Sequence, residues 1–561
     1  MNLRKTFLVL LLLALTIAPR LSALDSFVTI DEPFWLSVGA NYYYALGQRE
    51  LENTVYEYHP AVTTMSVITA AFLVDFPDYR GLGQGYFDVD KEKFDPFIVA
   101  NGHDPMVLLV ISRLFQVAII ILFVLIIFYL LSVLFGEEKA FFITAFVSSA
   151  PYFLGHSRVL SHEAMVAFFV LASIFGLLAY LEFGRKGHYL LISGVSAALA
   201  QLTKSSAMAM FPVIVLMLVV SAFSERSRLK SAVLEHLKIF GIWLGWLALA
   251  YFIFWPGMWV APGKMLYEVY GNAFSYALQG ARLQVTQELQ PSRFSLAAMG
   301  GSILNFILQV ATKETPLSWI GIGLAFFSLR RVGAAFEKRL MLYLFLNAVM
   351  SILLFSAAQG RNSPHYIMSA HVSMDVIAAL GWVSLSGLTL NQNARTNFQI
   401  KAGSVVFLLV MQLGSALFYH PYYYTYHNPL VVNAPLSDYG EGFEQAAAYL
   451  AQKPNAESLK VLSFRGRGPF SYFFSGETII FNPLFLEEPG MVSMIERLEQ
   501  ADYLVINDAL RPRTPRTELF VSALGDMPPE HSIFINGVST IRIYRMADLP
   551  ASFYEVLSNA R

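Results

Sequence analysis

The chain contains no cysteine. That excludes disulfides, thiolate metal sites and cysteine nucleophiles. It is also poor in charge. Only 14% of its 561 residues are Asp, Glu, Lys or Arg, where a soluble domain carries about 25%. The charges nearly cancel, at −1, so nothing in the balance points to nucleic acid. No Walker A, GxGxxG, HExxH or GxSxG element stands out, which leaves nucleotide binding and serine hydrolysis without support. Internal repeats of about 20–50 residues and low-complexity tracts are missing as well.

What is abundant is apolar surface. Hydrophobic residues make up 56% of the chain, and mean hydropathy is +0.52. A membrane span needs about 20 apolar residues. Eleven segments read as spans: about 6–24, 114–135, 139–156, 164–182, 188–203, 206–223, 239–256, 316–329, 340–358, 366–388 and 402–419. The first follows Arg4 and Lys5 and reads as an uncleaved helix, with a cleaved signal peptide as the other reading. The stretch 294–311 reads as an interfacial helix, because Gly300-Gly301 and Gln309 interrupt it; a twelfth span is the alternative.

Lys and Arg in short loops set orientation. With the N-terminus inside, inner loops hold Lys139, Arg185, Lys186, Arg226, Arg228, Lys230, Lys238, Arg330, Arg331, Lys338, Arg339, Arg395 and Lys401. The opposite short loops hold Arg158, Lys204 and Arg361. An odd number of spans then puts the C-terminus outside the cytoplasmic membrane. Two outer loops are long, 25–104 and 257–315, and loops of that length are usually functional. The expected architecture is an all-α polytopic membrane protein, residues 1–429, followed by a small extracytoplasmic α/β domain, 430–561. In the latter, Glu441–Gln452 reads as an amphipathic helix. Leu459–Phe464, Thr478–Phe481 and Tyr503–Ile506 read as strands. Ser532–Tyr544 reads as a hairpin around Asn536-Gly537.

Candidate chemistry gathers at outer ends of spans. Asp31-Glu32 lies just past the first apolar segment, where a carboxylate can take a proton from an acceptor hydroxyl; the plainer reading is an N-cap on the helix that begins at Pro33-Phe34-Trp35. Tyr58-His59-Pro60 shares that loop, and His59 can orient an acceptor, bind metal or only sit at the interface. His156, Arg158, His162 and Glu163 form a polar knot between apolar spans, and polar groups held there are often functional. Arg158 suits phosphate oxygens, and Glu163 with His59 or His162 could hold a divalent metal, a requirement the sequence leaves open. Lys204 reads either as a cation for an anionic lipid head or as a snorkelling anchor. Arg361, His365 and Tyr366 suit a phosphate clamp at a helix N-terminus or an interfacial belt. Lys313 is a weaker third cation. The aromatic run from His420 to Pro429 reads as a membrane-surface collar or a sugar-stacking face.

These motifs occur in a familiar order: Asp31-Glu32, His59-Pro60, Ser157-Arg158 to His162-Glu163, Leu202-Thr203-Lys204, Lys313 to Pro316, and Arg361 to Tyr366. In that order and topology the chain resembles the polyprenyl-phosphate-sugar-dependent glycosyltransferases of the GT-C fold. Within them it is similar to the bacterial protein-mannosyltransferase-like (ArnT/PMT, RgtA/B/C/D-like) group. The resemblance covers roughly residues 5–430. It implies inverting transfer of a sugar from a polyprenyl-phosphate donor to a protein, lipid or glycan acceptor. It implies Asp31 as the general base, with Glu32 as the fallback. It further implies Lys204, Arg361, His365 and Arg158 around the donor phosphate, and His59, His162, Glu163 and Tyr366 around the acceptor or sugar. One departure matters: aminoarabinose transferases carry Glu-Lys-Pro where this chain has Tyr58-His59-Pro60, so their metal-binding carboxylate is missing here. A transporter or lipid flippase would place charge nearer the membrane midplane, and a non-catalytic surface scaffold would be indifferent to Asp31.

The charge asymmetry predicts that a reporter fused after Arg561 is active outside the cytoplasmic membrane. A fusion active only in the cytoplasm would overturn both the span parity and the outer placement of the site.

Overall fold

The computed structural model describes residues 3–56, 59–82, 93–224, 229–271, 295–328, 335–358, 362–388, 394–432, 438–481, 488–508, 510, 515–525 and 527–558. Its contacts divide the chain into two compact units. The first comprises Met1–Ser22, Val38–Asp88 and Ile111–Ala434; the second comprises Ala23–Ser37, Val89–Val110 and Pro435–Arg561.

The first unit is helical. Among the described residues, six helices are long and apolar enough to cross a membrane: Pro105–Phe135, His162–Glu182, Ser205–Ser224, Lys230–Phe254, Ala335–Ala357 and Pro364–Leu385. Shorter apolar helices span Val62–Asp75, Pro316–Ser328 and Gly403–Leu417. Each of the eleven expected segments falls on helix. One differs from expectation in form: 139–156 is broken into Glu137–Ser148 and Pro151–His156. Pro151 causes the break, since it lacks an N–H and disfavours helical geometry in the residue before it. The stretch expected at 294–311 is the helix Leu296–Lys313, capped by Ser295. It buries Ser302, Phe306 and Val310 on one face while Leu304, Ile307 and Leu308 stay exposed. The outer loop 25–104 contains the helix expected from Pro33, Glu32–Gln48, together with Val62–Asp75 and Phe94–Ala100.

His162–Glu182 is the axis of this unit, buried from His162 to Ala179. Hydroxyls fasten it internally: Ser193 donates to the Ser173 carbonyl at 2.7 Å, and the Trp243 indole donates to Ser193 at 2.9 Å. Without water, such bonds replace the hydrophobic drive between helices. Pro316–Ser328 and Met368–Leu388 approach most intimately. A Cβ added at Gly381 would run into the Gly321 carbonyl, and one at Gly321 would sit 2.5 Å from the Ala378 carbonyl.

The second unit contains a five-stranded sheet with β1 Lys460–Phe464, β2 Glu477–Phe481, β3 Tyr503–Asn507, β4 His531–Ile535 and β5 Val538–Arg545. Its order is β2-β1-β3-β5-β4. The first three are parallel, and β5 runs antiparallel to β3 and β4. β3 is buried at every position, as a central parallel strand must be. Asn536 (φ 52) and Gly537 (φ 79) close the β4–β5 hairpin as the primed turn requires. The helices Phe443–Leu450, Glu488–Gln500, Pro515–Gly525 and Ala551–Ser558 complete the unit.

In an ordinary helix, Gly to Ala gains about 1 kcal/mol. Gly381→Ala should invert that sign, costing roughly 1–3 kcal/mol as overpacking. The thermal midpoint of the detergent-purified protein is the readout, and a raised midpoint would refute the close approach.

Candidate active site

In the first unit, the polar knot of the sequence becomes a buried ion pair. Lys204 ends the helix Gly187–Thr203 in extended backbone. Its ammonium donates to Glu163 Oε1 at 2.8 Å, with the two side chains 5% and 10% exposed. Ser161 caps the helix His162–Glu182 and donates to the other Glu163 oxygen at 2.7 Å. Gln116, on the helix Pro105–Phe135, accepts from the Ser161 amide at 3.1 Å. The Lys204 ammonium also lies 4.7 Å from the centre of the Tyr366 ring and 5.6 Å from that of Phe355, in the range of cation–π attraction. A small cavity beside the pair is lined by Glu163, Lys204, Asn347, Ser351, Phe355 and Tyr366.

Histidines and tyrosines continue outward from there. His162 Nδ1 and Thr64 share a hydrogen bond of 2.5 Å, and the His59 ring lies 6.1 Å from the His162 ring. The His365 ring lies 4.4 Å from the Tyr366 ring, edge to face, and 5.7 Å from the His156 ring, tilted against it. The structure thus brings together Lys204, Glu163, His162, His59, His365 and Tyr366. Arg361 lies outside the described residues, as does Tyr58. Arg158 is elsewhere engaged: its guanidinium donates to the Ser22 carbonyl and, at 3.2 Å, to the Pro421 carbonyl, and it lies 5.3 Å from the centre of the Tyr423 ring. It braces three chain segments, a geometry that lends no support to the phosphate role expected for it.

The run 420–429 is not a surface collar. Tyr423, Tyr424 and Tyr426 are buried, and Gly155 packs directly on the Tyr424 backbone. Lys313 donates to the carbonyls of Tyr424 at 3.2 Å and Tyr426 at 2.9 Å, so the third cation serves as a clasp.

Sequence reasoning missed a second buried cluster. Glu314 Oε1 and His371 Nδ1 are 2.8 Å apart, and Ser318 donates to Asp375 at 2.7 Å. Burial pushes the Glu314 carboxyl up to about 7, against hydrogen bonds with Asp375 and Ser318 that work the other way. The only available signal was the i, i+4 spacing of His371 and Asp375, which alone is uninformative. Among the described residues, no group of three or more His, Cys, Asp or Glu is arranged to hold a metal ion; Glu163, for which a metal was one reading, is bonded to Lys204 and Ser161.

Within the second unit, the acidic pair divides. Glu32 is fully buried, and its Oε2 accepts from the Thr29 amide at 2.8 Å and the Thr29 hydroxyl at 2.9 Å. The Glu32 carboxylate thus reaches back to the amide three residues earlier, as the Glu of a capping box does. Asp31 stays partly exposed, and its Oδ2 accepts from the Tyr439 hydroxyl at 3.1 Å.

Residues 108–257 match the family model of the dolichyl-phosphate-mannose-protein mannosyltransferases. The matched stretch includes both Glu163 and Lys204. The chain is also similar to three solved structures. One is the S. cerevisiae protein O-mannosyltransferase Pmt1-Pmt2 complex bound to the sugar donor, at 17% identity and a TM-score of 0.36, over 52% of this chain and 38% of that one. The chain therefore spans little more than a third of that yeast protein. Another is ArnT from Cupriavidus metallidurans in the apo state, at 13% identity and 0.46, over 98% and 99%. The third is the Archaeoglobus fulgidus oligosaccharyltransferase in complex with Zn and sulfate, at 13% and 0.46, over 93% and 69%. No curated protein matches the chain. The class is a multi-pass helical membrane protein with a small C-terminal sheet. The chain resembles the mannosyltransferase-like group of the GT-C glycosyltransferases.

Glu314 yields a pH prediction. Its folded value of about 7 lies above the ordinary 4.5, so its contribution to stability is complete below about 4.5 and is lost as pH rises through about 7. Glu314→Gln should flatten the pH dependence of the thermal midpoint across that window. An unchanged slope would show that the group does not titrate there.

Proposed function

We propose that this protein is a membrane glycosyltransferase. It moves a sugar, with inversion, from a polyprenyl-phosphate donor to an acceptor hydroxyl on the outer face of the cytoplasmic membrane. The observation that carries the reading is the buried Lys204–Glu163 pair beside a cavity, inside the stretch that matches the mannosyltransferase family model. A lipid-borne phosphate needs a cation that stays dry and fixed. Lys204 is such a cation, Glu163 and Tyr366 hold it, and the hydropathy supplies the lipid-facing body.

On this reading the departing phosphate gains charge in the transition state, and a pre-oriented ammonium stabilises it without reorganising. Arg361 and His365 join Lys204 around that phosphate. Asp31 accepts the proton of the attacking hydroxyl, and Glu32 shapes the helix start beside it. His59, His162 and Tyr366 contact the sugar or acceptor. The sheet domain lies outside the membrane, as the charge of the short loops requires.

The test is transfer by the purified protein from undecaprenyl phosphate bearing mannose, glucose, galactose or aminoarabinose. Mass spectrometry of glycolipids and glycoproteins from cells with and without the gene identifies the acceptor. Asp31→Asn should keep the protein folded and lower transfer by about 10²–10⁴-fold, whereas Glu32→Gln should act chiefly on stability. Lys204→Ala should remove about 2–4 kcal/mol of transition-state stabilisation. Near-normal transfer by Asp31→Asn would reject the base, and no transfer from any of the four donors by the wild-type protein, with unchanged glycans in cells lacking the gene, would reject the function.

A further inference from the structure

The segment that carries Asp31 belongs to the same compact unit as the small sheet domain, and two glycine-bearing loops of that domain grip it. We infer that the loop 438–442 is a positioning arm for the proposed base and that Tyr439, 408 positions away in the chain, is the residue that orients and ionises Asp31. This inference rests on the reading of Asp31 as the base.

The first grip is the arm itself. The Ile30 amide donates to the Tyr439 carbonyl at 3.2 Å, and the Tyr439 hydroxyl donates to Asp31 Oδ2 at 3.1 Å. One residue thus holds both the backbone and the carboxylate of the segment. Tyr439 is itself fixed, because its amide donates to Glu441 Oε2 at 2.9 Å and its side chain is buried. Gly440 follows at φ 113, and any Cβ there would strike the Val28 carbonyl. The second grip comes from the loop after β1. Gly468, at φ 85, abuts Pro33. Arg467 donates to Ser37 at 3.0 Å and pairs with both oxygens of Asp95, at 2.7 and 2.9 Å. Tyr472 completes that group by donating to Asp95 at 3.1 Å.

Capping alone does not require this arrangement. The helix start is already clasped by Thr29 and Glu32. The charged groups on the surrounding elements have partners of their own: Arg467 with Asp95, Arg465 with Asp438 at 3.3 Å, Glu441 with the Tyr439 amide, and Glu444 with the Gly442 amide at 3.1 Å. The Tyr439 phenol is the group that donates to the Asp31 carboxylate. A hydroxyl donated to a carboxylate favours its ionised form, and a base must be ionised to accept a proton.

The experiment uses the full-length purified protein, with whichever polyprenyl-phosphate sugar the wild type turns over as donor. Tyr439→Phe should lower kcat roughly ten-fold, the worth of one hydrogen bond to a charged group, with KM for the donor little changed. The acid limb of the kcat/KM profile should move to higher pH, because an Asp31 that has lost its donor protonates more readily. A merely structural role would leave that limb in place. An unmoved acid limb, or undiminished kcat, overturns the inference. If Tyr439→Phe does not accumulate in membranes, Tyr439→Met takes its place with the same expected shift. Asp31→Asn run in parallel separates the two levels. If Asp31→Asn transfers normally, the reading of Asp31 as base fails and the inference falls with it. If Asp31→Asn is inactive and the Tyr439→Phe limb is unmoved, the inference alone fails.

Discussion

The first unit is organised around one costly interaction, the buried pair of Lys204 and Glu163. Removing two charges from water costs several kcal/mol for each ion, and attraction recovers it only where geometry is fixed and the remaining valences are filled. Here they are filled by backbone-anchored groups. Ser161 caps a helix and donates to Glu163 with the same hydroxyl. Gln116 then fixes the Ser161 amide, and two aromatic faces cover the ammonium. Any movement of the 157–161 turn would strand a charge in an apolar interior. The turn is therefore tied down on both sides although no regular element contains it.

The same logic extends along the polar side of the unit. Arg158 and Lys313 each donate to main-chain carbonyls of the 421–426 segment, and Asn428 donates to the carbonyl of Glu314 at 3.0 Å. Backbone without regular structure, buried beside membrane helices, must find partners inside the protein. Cations expected at a ligand are thus divided between two tasks. Those on short tethers beside irregular chain hold carbonyls, and Lys204, which follows a helix end, faces the cavity.

The elements with strong local signals were legible in the sequence. Long apolar runs fell on helices, and Asn536-Gly537 fixed the hairpin within a residue or so at each end. The start of Glu32–Gln48 was legible at Pro33 but its extent was not, because the segment is rich in tyrosine and glycine and resembles loop by composition. The convergence of Lys204 with Tyr366 could be guessed only from topology, since nothing local links positions so far apart. The Glu314, His371 and Asp375 cluster was illegible for a related reason: Glu314 lies 57 positions before His371, and each residue alone reads as an ordinary polar residue. The aromatic run was misread because tyrosines suit both a membrane interface and a packed interior. Only the lysine reaching it from Leu296–Lys313 decides between them.

The acidic pair shows how a local rule can sharpen a functional reading. The sequence seemed to make Asp31 the helix cap, which would have occupied the carboxylate proposed to act. Two residues earlier, however, Thr29 begins a Thr-x-x-Glu spacing, and Glu32 accepts from both the amide and the hydroxyl of Thr29. Adjacent carboxylates on a helix start point in different directions, so engaging Glu32 inward leaves Asp31 on the outer side, partly exposed. There its Oδ2 accepts from the Tyr439 phenol. A carboxylate that a turn needs cannot be protonated in each cycle without loosening that turn. One held by a side chain can. The pair thus separates an acid that clasps the start of the helix from one held by a side chain of the sheet domain, and that separation follows from the position of Thr29.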